Sequence, residues 1–186
     1  MSTSSKLTMD PSSHRGPRPE PTIAAWAGDV PAGATLLDVA AGGGRHVRMF
    51  AASGCAVTAV DRDVAALRAI DDARIEVIEA DLEREPWPFA GRRWDVVVVT
   101  NYLWRPLLEH LADALSEGGL LMYETFMVGN ERFGRPRSPD FLLRDGELRA
   151  FAEHQGLEVV AFSQGEVGDP TTAVRQRLLA RRRPVA

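Results

Sequence analysis

The stretch from Leu36 to His46 places an acidic residue and a run of small residues between an apolar run and a helix-like run. Its sequence is Leu-Leu-Asp-Val-Ala-Ala-Gly-Gly-Gly-Arg-His, so Asp38 precedes Gly42 and Gly44. Because these small residues carry no bulky side chains, the backbone can approach a ligand closely. The first N–H groups of the following helix can bind a negative group. The stretch therefore predicts a binding loop for a nucleotide-like ligand.

Two further acidic residues follow at the ends of the next two predicted strands. Asp61 stands where a carboxylate can bind both hydroxyls of a ribose, and Asp81 stands where a side chain and backbone can face an adenine edge. A dinucleotide-binding loop has the form G-x-G-x-x-G, but Val47 occupies the position of its third glycine. A nicotinamide-dependent oxidoreductase is thus an alternative that Val47 and Asp38 count against.

Strand-like and helix-like runs alternate along the chain and must position these residues. The pattern predicts strands at 35–39, 56–60, 75–79, 95–100 and 120–125, and helices at 21–30, 45–53, 64–71 and 103–115. Such alternation predicts a parallel sheet covered by helices on both faces. Two last strand-like runs, 157–162 and 173–180, have no helix between them and predict an antiparallel hairpin.

From Leu36 to about Tyr123, the order and spacing of these motifs resemble the class I S-adenosylmethionine-dependent methyltransferases. The first motif of that family is an acidic residue followed by small residues ending in G-x-G. Asp38 to Gly44 matches it, with Ala40 in place of a frequent glycine. The resemblance implies S-adenosyl-L-methionine as the cofactor. It also implies an α/β fold, a Rossmann-like doubly wound sheet of about seven strands, mostly parallel with an antiparallel last strand.

The resemblance further implies which residues bind this cofactor. Gly42 and Gly44 would flank its methionine part, Asp61 would hold the ribose, and Asp81 with Leu82 would contact the adenine. Asn101 ends the fourth strand, where the family places the methyl donor beside the acceptor. The whole expected set is Asp38, Ala40, Gly42, Gly44, Asp61, Arg62, Asp81, Leu82 and Asn101.

The acceptor side is predicted from strand ends and from one long irregular stretch. Tyr102, Tyr123 and Glu124 lie near the ends of the fourth and fifth strands, where ligands bind in such sheets. The stretch 126–143 has no clear period, and its mixture of phenylalanines and arginines favours an ordered lid over a flexible linker. Residues 124–137 also resemble a segment of small bacterial methyltransferases of unassigned substrate.

The lid arginines leave two interpretations open. Their guanidinium groups could bind an anionic substrate, or they could be solvated charges paired with Glu131 and Asp140. We expect the substrate to be bound by Tyr102, Glu124, Asn130, Arg132, Arg135 and Arg137. No catalytic residue is assigned, because no side chain stands out as a general base.

Composition sets the expected organisation and location of the protein. The chain has 186 residues, and we expect a disordered tail over 1–20, rich in Ser and Pro, before one domain over 21–186. No run is apolar enough for a secretory signal or a membrane span. With Cys55 as its only cysteine, the chain is expected in the cytoplasm. The histidines and this cysteine lack metal-ligand spacing, so no metal is expected.

These observations together predict an S-adenosylmethionine-dependent methyltransferase that acts on a small-molecule acceptor, with an anionic acceptor as one option. The net charge of −4 counts against a nucleic-acid partner. Arg181 to Arg183 and the lid arginines nevertheless keep an RNA or protein methyltransferase open. A non-catalytic module that binds S-adenosylmethionine is the remaining alternative. The oligomeric state is left open.

Overall fold

Seven strands form one sheet in the order β3-β2-β1-β4-β5-β7-β6. The computed structural model describes residues 18–31 and 33–184. The strands are β1 (Thr35–Val39), β2 (Ala56–Asp61), β3 (Ile75–Glu79), β4 (Trp94–Thr100), β5 (Leu115–Phe126), β6 (Glu158–Val167) and β7 (Ala173–Arg181). Neighbouring strands are parallel except where β7 pairs with β5 and β6. The predicted doubly wound sheet with one reversed last strand is confirmed.

Short helices cover both faces of this sheet. They are α1 (Pro21–Trp26), α2 (Arg45–Ala52), α3 (Ala65–Arg68), α4 (Leu108–Asp113) and α5 (Glu147–His154). Short 3-10 turns lie at Ala27–Asp29, Arg105–Leu107, Asn130–Arg132 and Pro139–Phe141. The prediction did not include α5, although Leu148, Phe151 and Ala152 have helical spacing and are all buried. Within the described chain, no helix is long and apolar enough to cross a membrane.

Alternate residues of the central strands build two hydrophobic cores, one on each face. Val97 and Leu121 pack on the side of α4 and α5, whereas Val98 and Met122 pack on the side of α1 and α2. All four valines from Val96 to Val99 are fully buried, because β4 has a strand on each side and a core on each face. The buried central strands therefore hold the loops that follow them in fixed positions.

The predicted helix over 103–115 is wrong at both ends. The structure has the 3-10 turn Arg105–Leu107, then α4, and Leu115 already pairs with Trp94 as the start of β5. Gly118 and Gly119 therefore lie inside β5 and do not end a helix. A Cβ added to Gly119 would lie 2.9 Å from a backbone oxygen, so this irregular start of β5 requires a glycine.

The strand order changes direction between β1 and β4, and this reversal positions the site. Connections from β1 lead outward through β2 and β3, whereas β4 begins the other half of the sheet. In such sheets a crevice opens beyond the carboxyl ends of the strands at that point. Ala40 follows β1 and Asn101 follows β4 directly at this edge.

Candidate functional site

A pocket of about 270 Å³ lies at the carboxyl ends of the first four strands. It is lined by Ala40, Asp61, Arg62, Ala80, Asp81, Leu82, Glu83 and Tyr102. Each wall follows a different strand, so the parallel register of the sheet brings together residues that are distant in sequence. Five of the predicted cofactor residues line this pocket, namely Ala40, Asp61, Arg62, Asp81 and Leu82. Tyr102, predicted on the acceptor side, also lines it.

The Asp61 carboxylate is fixed at the rim of the pocket by two backbone groups. The Gly42 N–H donates to Oδ2 at 2.8 Å, and the Asp63 N–H donates to Oδ1 at 3.0 Å. The first of these hydrogen bonds joins the end of β2 to the loop after β1. Asp61 therefore both shapes the glycine loop and presents a carboxylate at the pocket rim.

The loop after β1 adopts backbone conformations that favour glycine. Gly42 and Gly44 have φ of +54° and +74°, and Ala40 also has a positive φ of 54°. A Cβ on Gly44 would lie 2.8 Å from Leu67 and 2.9 Å from Ile70, so this glycine is also required for packing. A Cβ on Gly42 would meet nothing within 4 Å. The backbone at Gly42 is thus open to a close approach by a ligand.

Asp38 is a buried acid at the end of β1, only 1% exposed. Burial raises its pKa from 3.8 to about 7, the Arg45 guanidinium opposes this rise, and the charge of Asp61 adds to it. Its Oδ2 atom has no hydrogen-bond partner among the residues that the structure describes. Buried polar atoms are nearly always paired, so this oxygen fits a cationic group such as the ammonium of an amino acid.

Asp81 and Leu82 form the wall that follows β3. The Asp81 Oδ1 accepts a hydrogen bond from the Glu83 N–H at 3.1 Å, so the carboxylate stabilises its own turn. Leu82 is buried, and Arg62 is exposed at the rim on the opposite side. This wall offers an apolar surface and backbone groups, the features that an adenine-type ring needs.

Two tyrosines near the ends of β4 and β5 have different roles. The Tyr102 hydroxyl is buried without a partner among the described residues, and desolvation raises its pKa above the ordinary value. It is therefore neutral at physiological pH and can donate a hydrogen bond. The Tyr123 hydroxyl donates to the Tyr102 carbonyl oxygen at 3.0 Å from within the core. The expectation that Tyr123 could contact an acceptor is therefore wrong.

A charged cluster lies beside the pocket, on the face of the sheet that carries α1 and α2. It consists of Glu20, Arg45, Glu124, Arg175 and Arg177. Glu124 is 1% exposed, and its Oε1 lies 3.4 Å from Arg175 Nη1 and 3.2 Å from Arg177 Nε. Its Oε2 has no hydrogen-bond partner in the described part of the chain.

The sequence prediction missed Arg175 and Arg177 of β7. They alternate with the buried residues Val174, Gln176 and Leu178, which is the period of a strand. Their partner could not be predicted, because β7 meets β5 only through the fold, with Arg177 opposite Glu124. The signal available in the sequence was the presence of two arginines at alternate positions inside the predicted strand 173–180.

Glu20 joins this cluster to the start of α1. Its Oε1 lies 2.9 Å from Arg45 Nη2 and 3.7 Å from Arg175 Nη2, and it accepts from Asn101 Nδ2 at 3.4 Å. Its backbone N–H donates to His46 Nε2 at 3.0 Å. The sequence placed Glu20 in the tail, yet it is firmly held. Residues 1–17 of that tail lie outside the described residues, and its disorder stays a prediction.

His46 is a structural residue in the neutral state. It is buried, and desolvation lowers its pKa to about 4, an effect that the Arg45 charge reinforces and the Glu20 charge opposes. Its Nδ1 lies 3.4 Å from the Thr100 hydroxyl. Neutral imidazole is what allows Nε2 to accept the Glu20 N–H. His46 therefore anchors the chain segment that covers the cluster.

The predicted lid, residues 126–143, is a closed loop after β5. The Val128 N–H donates to the Leu143 oxygen at 2.9 Å, which joins the two ends of the loop. The Asn130 Oδ1 accepts from the Val174 N–H at 3.1 Å, and its Nδ2 donates to the Pro136 oxygen at 3.4 Å. Asn130 is fully buried and uses its whole amide to hold the loop on β7.

The three lid arginines lie apart from the pocket. Arg132 pairs with Glu166 at 3.1 Å, and not with Glu131 or Asp140 as one interpretation of the sequence had it. Arg135 and Arg137 are exposed, and none of the three lines the pocket. Within residues 18–31 and 33–184, no group of three or more His, Cys, Asp or Glu is arranged to hold a metal ion.

Comparisons with known proteins agree with this geometry. Residues 36–119 match the family model of a methyltransferase domain. No curated protein sequence matches the chain.

Solved structures share the fold at low sequence identity. An S-adenosylmethionine-dependent methyltransferase from Mesorhizobium loti superposes with a TM-score of 0.67 at 17% identity, covering 86% of this chain and 96% of that chain. A methyltransferase from Aquifex aeolicus gives 0.63 at 20%, covering 86% and 87%.

A third structure contains the demethylated cofactor. The 1,6-didemethyltoxoflavin-N1-methyltransferase of Burkholderia thailandensis, with bound S-adenosylhomocysteine, gives a TM-score of 0.65 at 17% identity, covering 88% of this chain and 77% of that chain. The matched domain, the sheet order and the pocket after β1 to β4 are in agreement. Residues 36–119 are thus similar to a methyltransferase domain, and the chain has the fold of S-adenosylmethionine-dependent methyltransferases.

Proposed function

We propose that the chain is an S-adenosylmethionine-dependent methyltransferase and that its small-molecule acceptor binds beyond the ends of β4, β5 and β7. The observation that supports this most directly is the position of Glu20, whose carboxylate reaches Arg45, Asn101 and Arg175 from the segment before α1. This segment encloses the acceptor side, whereas a polymer needs an open face along which it can extend. The net charge of −4 also favours a small molecule over a nucleic acid.

The residues of the pocket fit the parts of the cofactor. Asp61 would bind the ribose hydroxyls, the wall of Asp81 and Leu82 would contact the adenine, and Gly42 leaves room for the methionine part. The unpaired oxygen of Asp38 would receive the ammonium group. When bound, S-adenosylmethionine supplies a methyl group on a positively charged sulfur, which is a good leaving group.

The contribution of the chain to the reaction is mainly alignment. A direct displacement needs the nucleophile, the methyl carbon and the sulfur in line, and positioning of this kind lowers barriers substantially. Asn101 and Tyr102 lie between the pocket and the charged cluster, where both reactants must meet. Asn101 has φ of +56°, and Arg175 Nη1 holds its Oδ1 at 2.7 Å. Strained residues of this kind are concentrated at functional sites.

Thermal unfolding with S-adenosylmethionine and S-adenosylhomocysteine tests the cofactor site. Ligand at a hundred times its dissociation constant adds about 2.7 kcal/mol of stability, which raises the unfolding temperature of a domain this size by roughly 5–10 °C. We expect Asp61→Ala to abolish the rise and Asp113→Ala, at the exposed end of α4, to keep it. An equal rise with NADH, or none with either sulfur ligand, would contradict the assignment.

Turnover tests the acceptor. Formation of S-adenosylhomocysteine is measured with a panel of small thiols, amines, hydroxyl compounds and carboxylic acids, and with RNA and protein extracts. We expect product only with small molecules. Methylation of RNA or protein with no small-molecule turnover would make the polymer alternative correct. Cofactor binding without turnover on any acceptor would instead favour a non-catalytic module.

A further inference from the structure

We propose that Arg175 and Asn101, with Arg45 beside them, form an anion subsite for the methyl acceptor, and that the Glu20 carboxylate lies where a carboxylate of the acceptor binds. The inference rests on the proposed function and specifies its substrate class as small carboxylic acids. It moves the anion-binding role from the lid arginines to residues of β7 and of the end of β4.

The charge balance of the cluster supports this proposal. Without Glu20, Arg175 and Arg177 share the single carboxylate of Glu124, and Arg45 loses its ion-pair partner. The Arg175 side chain is only 11% exposed, so its charge is largely removed from water. An excess of positive charge away from water is destabilising. The Glu20 carboxylate, or another anion in its place, reduces this excess.

The Glu20 carboxylate can be replaced by another anion. It precedes α1, and its side chain is 15% exposed, unlike that of Glu124 within β5. The backbone of Glu20 is held independently, by its N–H on His46 and by its carbonyl oxygen, which accepts from Ala24. A change of rotamer can therefore withdraw the carboxylate while α1 stays in place.

The orientation of the arginine that would receive the acceptor also supports this proposal. The Arg175 guanidinium lies 4.2 Å from the centre of the Phe126 ring, and Nη1 is bonded to Asn101 Oδ1. Stacking and hydrogen bonding both fix the plane of a guanidinium, which suits it to a planar carboxylate. Asn101 is exposed and adjoins Tyr102 of the pocket, so a carboxylate here would lie beside the methyl donor.

The cofactor also carries a carboxylate, which has the same chemistry. Arg45 starts the helix that follows the glycine loop and could serve either ligand. Arg175 belongs to β7, which β4 and β5 separate from β1, and it donates to Asn101 at the end of β4. We therefore assign their site to the acceptor, and the experiment separates the two sources.

Chemical rescue of Glu20→Ala tests the subsite. Propionate has the carbon chain and carboxylate of a glutamate side chain, of which Glu20→Ala keeps only the β-carbon, and propionamide is its neutral counterpart. The unfolding temperature of the full chain is measured with saturating S-adenosylhomocysteine, with propionate exchanged for chloride at constant ionic strength. At ten times its dissociation constant, propionate should raise the unfolding temperature of the variant by about 3–6 °C. It should have little effect on the wild type.

Matched variants localise the effect. Adding Arg175→Gln to Glu20→Ala should remove the stabilisation by propionate. Adding Arg149→Gln instead, which breaks the exposed ion pair of Arg149 with Glu153 on α5, should leave that stabilisation unchanged. If Arg175→Gln does not fold, Arg175→Lys keeps the charge but not the planar fork and should weaken the rescue. An equal rise with propionamide, or no rise with propionate, would overturn the proposal.

The two sources of carboxylate are separated by changing the nucleoside. 5′-Methylthioadenosine lacks the amino acid part of the cofactor. A rescue seen with this nucleoside but not with S-adenosylhomocysteine would assign the place of Glu20 to the cofactor and overturn the acceptor assignment. A methyl acceptor without an acidic group would overturn it as well. If S-adenosylhomocysteine stabilises no variant, the proposed function fails, and the anion site is judged from rescue of the ligand-free protein.

Discussion

Asp38 shows how one residue can report on ligand binding. Its carboxyl group has little access to water, and its Oδ2 has no hydrogen-bond partner among the described residues. Folding raises its pKa from 3.8 to about 7, so in that range the folded chain holds a proton that the unfolded chain releases. By linkage, this group makes the free energy of unfolding decrease as pH rises from about 4 to about 7. His46, with its pKa lowered to about 4, acts in the opposite sense below pH 6.5.

Because His46 contributes equally to both proteins, the effect of Asp38 is the difference in free energy of unfolding between the wild type and Asp38→Asn. We expect urea unfolding to show that Asp38→Asn gains stability relative to the wild type as pH rises from 5 to 7. An ammonium group beside Asp38 would favour its charged form. Affinity of the wild type for S-adenosylhomocysteine should thus increase up to about pH 7 with release of a proton, seen by calorimetry in two buffers. Parallel pH profiles for the two proteins would contradict this role.

At the scale of elements, the bounds were predictable where local chemistry decides them. β1 and the start of α2 lie as predicted, because an apolar run and a glycine loop specify both without distant contacts. The helix predicted to Leu115 was wrong because pairing with Trp94 overrode its helical leucine spacing. The pocket residues after β1 to β3 follow from motif spacing. The role of Arg175 does not follow from motif spacing, because its partners come from elements that are distant in sequence.

The two loop glycines should differ in what they tolerate. Both have positive φ, so an alanine at either position strains the backbone by about 1–2 kcal/mol. At Gly44 the added Cβ also meets Leu67 and Ile70, whereas at Gly42 it meets open space. We expect urea unfolding to show Gly44→Ala as the less stable variant, by about 1 kcal/mol or more. Equal stabilities would show that Leu67 and Ile70 can move aside without loss of stability.

Arg105 should control the order of the lid, residues 126–143. Its guanidinium binds Glu147 at 2.6 and 2.9 Å and donates to carbonyl oxygens of two lid residues at 2.8 and 2.9 Å. Hydrogen bonds to charged groups contribute about 1.5–3 kcal/mol. Arg105→Ala should therefore speed amide hydrogen exchange in the lid, and Arg149→Ala, which breaks an exposed pair with Glu153, should not. Unchanged exchange in Arg105→Ala would mean that the loop closure after β5 suffices.

At the scale of the whole molecule, charge and surface argue against a nucleic-acid partner. The net charge is −4, and two of the three arginines near the end of the chain have structural contacts. Arg181 pairs through its backbone with Leu120 of β5 and Glu158 of β6, and Arg182 donates from Nη1 to the Ala112 oxygen at 2.9 Å. The guanidinium group of Arg182 is thus held against the domain. The sequence shows these arginines but not their contacts.

We therefore expect no tight binding of RNA. Fluorescence anisotropy with a labelled single strand, at 50 and 200 mM salt, should show dissociation constants no tighter than the 10⁻⁴–10⁻⁶ M of non-specific binding. The triple variant of Arg181, Arg182 and Arg183 is unsuitable as a control because it would disturb β7. Arg183→Ala alone is suitable. Nanomolar binding with a steep salt slope would revive the polymer acceptor.

The reversal of β7 brings residues that follow the matched domain to the edge of the sheet where the cofactor pocket lies. Because this strand runs against the others, its first residues arrive at the edge where the others end. The matched domain, residues 36–119, contains Arg45, Asn101 and Tyr102, whereas Glu124, Arg175 and Arg177 come from later sequence and Glu20 from earlier sequence. Replacing the part of the chain from β5 to β7 with that of a relative would therefore change acceptor specificity and leave the cofactor-binding residues unchanged. Relatives with different substrates would then differ in sequence mainly after residue 119.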